Sequence, residues 1–119
     1  MTNRTAKPLA SGQAWPVDLA FDREARVLRI AYDDGASFAI GFELLRVESP
    51  SAEVQGHAGR KAIVRDKGDV SVKDAFPVGR YAVRIVFDDG HETGIYSWAY
   101  LRKLGEEHDA LLAAYRASL

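Results

Sequence analysis

With 119 residues the chain has room for one domain and one hydrophobic core, and it needs no staples to reach stability. The absence of cysteine excludes disulfides, thiolate metal sites and cysteine nucleophiles, and 16 Lys+Arg against 17 Asp+Glu leaves no basic excess for nucleic acid. No apolar run approaches the roughly 18 residues of a membrane span, and the start of the chain lacks the apolar stretch of a secretory signal, so a cytoplasmic protein is expected.

Residues 1–14 are small and polar without apolar periodicity and read as a disordered tail, which leaves 15–119 as a single domain. Further along, LRIAYDDGASFAIGFELLR from Leu28 resembles VRIVFDDGHETGIYSWAYLR from Val83, an internal repeat. At an offset of 55 it matches Arg29/Arg84, Ile30/Ile85, Asp33/Asp88, Asp34/Asp89, Gly35/Gly90 and Ile40/Ile95, and one inserted residue then aligns Leu45-Arg46 with Leu101-Arg102. Each copy alternates apolar and other residues before Asp-Asp-Gly, the pattern of a half-buried strand. A two-residue turn would set Phe38 and Ile40 opposite Ala31 and Arg29. A three-residue loop with a left-handed glycine pairs Ile30 with Phe38 and Leu28 with Ile40, and it alone gives one apolar face, so it is the predicted turn.

Between the hairpins, Lys61 to Val64 and Val70 to Val72 are short strand candidates around the turn-like Arg65-Asp66-Lys67-Gly68. The basic residues of this middle (Arg60, Lys61, Arg65, Lys67, Lys73, Arg80, Arg84) are interrupted by Asp66, Asp69 and Asp74 and read as solvated turns and strand edges. After the second copy, Ser97 is the expected N-cap of a helix carrying Trp98, Leu101 and Leu104 up to Gly105, and a second helix is predicted from Glu106 to about Ser118.

The sequence holds no dinucleotide-binding glycine motif, P-loop, HExxH or GxSxG. The Asp33-Asp34 and Asp88-Asp89 pairs are expected to cap their own turns. Of the three histidines, His57 reads as a loop residue and His108 as exposed at a helix start. His91 stands where the first copy has Ala36. It is either a half-buried imidazole bonded to a loop carbonyl or a ligand with His57 and Glu53, an arrangement without diagnostic spacing.

Val78-Gly79-Arg80-Tyr81-Ala82 and Phe87 through Trp98, with Leu101 beyond, resemble the gamma-butyrobetaine hydroxylase-like N-terminal domain family, and the likeness extends from about Trp15 to Tyr115. The resemblance implies a domain that stands alone in bacteria, is fused to Mrp-type ATPases that carry iron–sulfur clusters, or precedes the catalytic domain of carnitine-biosynthesis dioxygenases. The iron and 2-oxoglutarate chemistry belongs to that other domain. In the dioxygenases the family holds a structural zinc with three cysteines and the histidine of Asp-Gly-His. Here Ser49, Ser51 and Val54 replace the cysteines and only His91 remains, so no metal is expected.

The expected fold is α+β, a mainly antiparallel sheet of two related β-hairpins plus short strands, with C-terminal helices. The expected role is a non-catalytic accessory or protein-interaction module linked to iron–sulfur cluster assembly or an oxidoreductase system. Its candidate partners are an iron–sulfur carrier ATPase or an oxidoreductase. The second copy replaces Ala36, Gly41 and Glu43 of the first with His91, Tyr96 and Trp98, so the expected partner surface comprises His91, Glu92, Tyr96 and Trp98, bordered by Arg46. The rival expectation is a small-molecule-binding domain or minor enzyme with a pocket beside His91, Tyr96 and Trp98. No cofactor, nucleic acid or membrane enters either reading, and oligomeric state is left open.

Overall fold

The computed structural model of the chain describes residues 14–55 and 63–119. All but Ala14 of the expected tail, and Lys61 and Ala62 of the first short strand candidate, lie outside these residues. Three strands, β1 (Pro16–Asp22), β2 (Val27–Tyr32) and β3 (Ser37–Gly41), form one antiparallel sheet in that order, followed by helix α1 (Phe42–Val47) and a turn of helix α2 (Ala52–Gln55). Strands β4 (Val72–Val78), β5 (Ala82–Phe87) and β6 (Gly94–Ser97) form a second sheet, followed by α3 (Trp98–Glu106) and α4 (His108–Ala117). The architecture is α+β, and among the described residues no helix is long and apolar enough to cross a membrane.

Both hairpin tips take the predicted three-residue form. Ile30 pairs with Phe38 and Leu28 with Ile40, and φ is +91° at Gly35 and +94° at Gly90, a conformation glycine adopts without a Cβ penalty. The second hairpin departs from the simple copy in one respect. Its residues pair as Val83 with Tyr96 and Arg84 with Ile95, so the inserted residue falls between the tip and Ile95, earlier than sequence identity places it. Tyr96 is therefore the counterpart of Ile40, and Ile95 faces outward where Ile40 faces in. A one-residue slip turns every later side chain to the opposite face of a sheet.

The repeat is longer than the sequence shows. Strands β1 and β4 carry the same register irregularity, between Pro16 and Asp18 and between Val72 and Asp74, and pair alike with β2 and β5. Each half is thus a three-stranded sheet followed by a helix. The inner faces of both sheets close on one core, in which Leu28, Ile30, Tyr32 and Ile40 meet Val83, Ile85, Phe87 and Tyr96, with Phe42, Leu44, Leu45, Leu101 and Leu104 from the helices.

Three local expectations change. Ile63 and Val64 lie in no strand, and the strand expected at Val70 instead starts at Val72 and continues to Val78. Gly105 does not end a helix. It lies inside α3, where a Cβ would sit 2.5 Å from Phe38 Cγ, so glycine serves close approach rather than capping. Ser97 does cap α3, its hydroxyl accepting from Tyr100 N at 3.0 Å.

Candidate functional site

The two Asp-Asp-Gly turns show what their carboxylates do. Asp33 and Asp88 accept from the backbone N–H of Trp15 and Ser71, fastening each tip to the residue ahead of its outer strand. Asp34 and Asp89 accept from the N–H two residues on, at Ala36 and His91, each at 3.1 Å. Their free oxygens reach across the molecule. Arg46 of α1, in the first half, binds Asp89 of the second at 2.8 Å, and Arg102 of α3, in the second half, binds Asp34 of the first at 2.9 Å. The halves therefore clamp each other reciprocally. Arg102 also lies over the Tyr32 and Phe38 rings.

The Asp89 clamp is the more enclosed. Lys67 adds a contact at 2.7 Å. Partial burial pushes the Asp89 carboxyl upward, but Lys67, the His91 N–H and Arg46 together outweigh it and hold the pKa at about 2.

Beside this clamp lies a buried polar cluster where the segment after α1 meets the second tip. His91 Nε2 lies 2.9 Å from Ser49 Oγ, and Nδ1 lies 3.0 Å from Glu53 Oε1. Ser49 Oγ also accepts from Ser51 N, and Ser51 Oγ bonds Thr93 Oγ1 at 2.7 Å. A carboxylate on Nδ1 and a hydroxyl on Nε2 suit the neutral imidazole with its proton on Nδ1. Burial, followed by the Arg46 charge, lowers the His91 pKa from its usual 6.5 against the opposing pull of Glu53 and Asp89. In the other half the corresponding space is apolar, with the Phe38 ring packed on Gly105. Here the sizes are exchanged: Gly94 packs on the Ser49 hydroxyl, which would lie 2.6 Å from a Cβ at that position.

Carboxylate, imidazole and hydroxyl stand in the order of a nucleophilic relay. Ser49, however, is fully buried under Gly94 and Tyr96, and a substrate carbonyl has no room to reach its oxygen. The positions that would ligate zinc in the dioxygenases, Ser49, Ser51, Val54 and His91, occupy this one region. Two neutral hydroxyls and a buried valine do not fit that ion. Among the described residues no three His, Cys, Asp or Glu side chains gather as a metal site, and His57 lies outside those residues.

The expected partner-binding residues do not share a surface. Tyr96 is 0 % exposed, its hydroxyl donating to Leu45 O, and His91 is 6 % exposed. Arg46 is engaged with Asp89, while Glu92 is exposed on the far side, against Arg84. Trp98 is half-buried with its indole N–H on Arg80 O, and its counterpart in the first half is Phe42, so a bulky residue there belongs to the shared plan. Trp98 lines a groove of about 380 Å³ with Leu19, Phe21, Val72, Ala75 and Pro77, and neither His91 nor Tyr96 lines it.

A feature that the sequence reading passed over is the outer face of the second sheet. Phe76, Arg84 and Ile95 form a row across β4, β5 and β6, and the Arg84 guanidinium lies 5.1 Å from the Phe76 ring centre. Phe76 is 42 % exposed and Ile95 47 %, with Val78 and Tyr81 exposed nearby. The matching row of the first sheet is Ala20, Arg29 and Ala39. The duplicated arginine was visible in the repeat, but its neighbours become comparable only once β1 and β4 are aligned.

A family model described as gamma-butyrobetaine hydroxylase-like, N-terminal matches residues 19–102. A crystal structure of a protein of unknown function from the DUF971 family of Acidithiobacillus ferrooxidans is 41 % identical, covering 76 % of this chain and 91 % of its own, with a TM-score of 0.65. Two solution NMR structures are also similar. One is 38 % identical over 91 % of this chain and 86 % of its own with a TM-score of 0.78, and the other 41 % identical over 99 % and 87 % with a TM-score of 0.73. No curated protein matches.

Proposed function

The chain belongs to the gamma-butyrobetaine hydroxylase-like, N-terminal family, and on that premise we propose that it is a non-catalytic interaction module that docks a protein partner on the outer face of β4–β5–β6. One observation carries the reading. Two sheets built on one plan differ on their outer faces, alanines flanking the arginine in one and an exposed phenylalanine and isoleucine flanking it in the other. Neither large side chain contributes to the core, so folding does not require them. Clustered exposed apolar residues around an arginine are the composition of a binding patch. The module acts in the bacterial cytoplasm, and an iron–sulfur carrier ATPase or an oxidoreductase is the candidate partner.

The test is affinity capture from the native host with the wild-type chain and with Phe76→Asp/Ile95→Asp. The variant is expected to keep its amide NMR spectrum and melting temperature and to lose the partner. Recovery of the same partner by the folded variant overturns the reading. A second reading rests on the groove beside Trp98, whose size and apolar lining suit a small ligand. Quenching of Trp98 fluorescence by a host metabolite extract in a Trp15→Phe background, abolished by Ala75→Met, would favour it.

A further inference from the structure

We propose that the partner presents to this face an amphipathic helix carrying a carboxylate with an apolar side chain one turn before it and one turn after. This deepens the docking reading above and rests on it. Arg84 stands at the centre of the patch, not at its rim. Across the strands it lies between the exposed Phe76 and Ile95, while along β5 its same-face neighbours are the half-buried Val86 and the buried Ala82. The Phe76 ring holds the guanidinium over the face. Its Nη1 donates to Glu92 O at 3.0 Å, while the exposed Glu92 carboxylate is a longer 3.7 Å contact. A cation framed by apolar groups is complemented by an anion framed by apolar groups.

The spacing selects a helix. Neighbouring strands are about 4.8 Å apart, which sets Phe76 and Ile95 about 10 Å from each other, and seven residues of helix rise about 10.5 Å. A carboxylate midway between the two apolar contacts then falls one turn from each.

Two other occupants fit less well. A second copy of this chain docked about a two-fold axis through the centre of the patch would bring Arg84 against its own counterpart. An added strand would need an open edge, but β4 carries Pro77 and a register irregularity, and β6 has only four residues.

The experiment titrates the full-length chain, labelled with ¹⁵N, with two designed helical peptides of the pattern Leu-x-x-Glu-x-x-x-Leu and Leu-x-x-Lys-x-x-x-Leu, identical elsewhere. The glutamate peptide is expected to shift the amides around Phe76, Arg84 and Ile95 and to bind at least tenfold more tightly than the lysine peptide. Arg84→Gln should abolish that preference and Arg84→Glu reverse it. Equal affinities, shifts centred elsewhere, or no shift at millimolar peptide overturn the proposal. Concentration-dependent shifts of the same amides without peptide also overturn it, by assigning the face to a second copy. Capture of the native partner by wild type, its loss in Phe76→Asp/Ile95→Asp and its retention in Arg84→Glu would refute the carboxylate-bearing helix while leaving the docking face intact.

Discussion

Burial and the nearby Arg46 charge favour the neutral form of His91, against the pull of Glu53 and Asp89. Its folded-state pKa lies below the usual 6.5, so as the pH falls the unfolded chain takes up the proton first. The stability linked to His91 is whole above about pH 6.5 and drains away as the pH falls through the folded value. His91→Gln keeps a hydrogen-bonding side chain without a titrating group. Urea midpoints measured between pH 7 and 5 are expected to decline for the wild type and to stay level for the variant over that window. An equal decline in both would show that another group drives it.

At the scale of elements, turn chemistry was legible and face assignment was not. Asp-Asp-Gly, with alternating residues on both sides, sufficed to place a left-handed glycine and the register of the first hairpin. Strand β1 and all of β4 beyond Val72 carry no clear signal in the sequence, because each strand contains a register irregularity that interrupts the period of two, and because β4 turns Ala75 inward and Phe76 outward, against the usual polarity. Sequence identity sets the inserted residue after Tyr96, which turns Tyr96 to the surface, whereas in the fold it falls before Tyr96 and turns it inward. Gly105 reads as a helix stop in the sequence because nothing local reports the Phe38 ring on its Cα. That contact predicts a change of sign. Gly105→Ala adds a better helix former but collides with Phe38, and thermal melts should show a loss of about 1–3 kcal/mol. In a Phe38→Ala background the same change should stabilise, by up to about 1 kcal/mol.

For the molecule as a whole, the paired clamps matter more than any one turn. Arg46 and Asp89 are 43 residues apart in sequence, beyond the reach of any local pattern. Their side chains are 12 % and 18 % exposed, whereas Asp34 of the sister clamp is 45 % exposed. Removing Asp89 strands a largely enclosed guanidinium, so Asp89→Asn should cost about 1–3 kcal/mol at neutral pH and Asp34→Asn less than about 1. Asp89 titrates at about 2 in the fold against 3.8 in the free side chain. Its contribution is complete above about pH 4 and lost as the pH falls through 2, so acid titrations followed by circular dichroism should show a shallower decline in Asp89→Asn.

Each half has the second carboxylate of its turn bound by a guanidinium that the other half supplies. Separated at the connection between them, the halves would lose both cross-pairs, leaving Asp34 and Arg46 without these partners and Asp89 and Arg102 with only Lys67 and Glu106 of their own half. The cross-pairs would form again as the halves find one another in solution, with an occupancy that falls on dilution. Joined in one polypeptide, they meet at a fixed effective concentration set by the linker rather than by the cell. The chain thus holds the geometry of a two-chain assembly in a form that dilution does not dissociate.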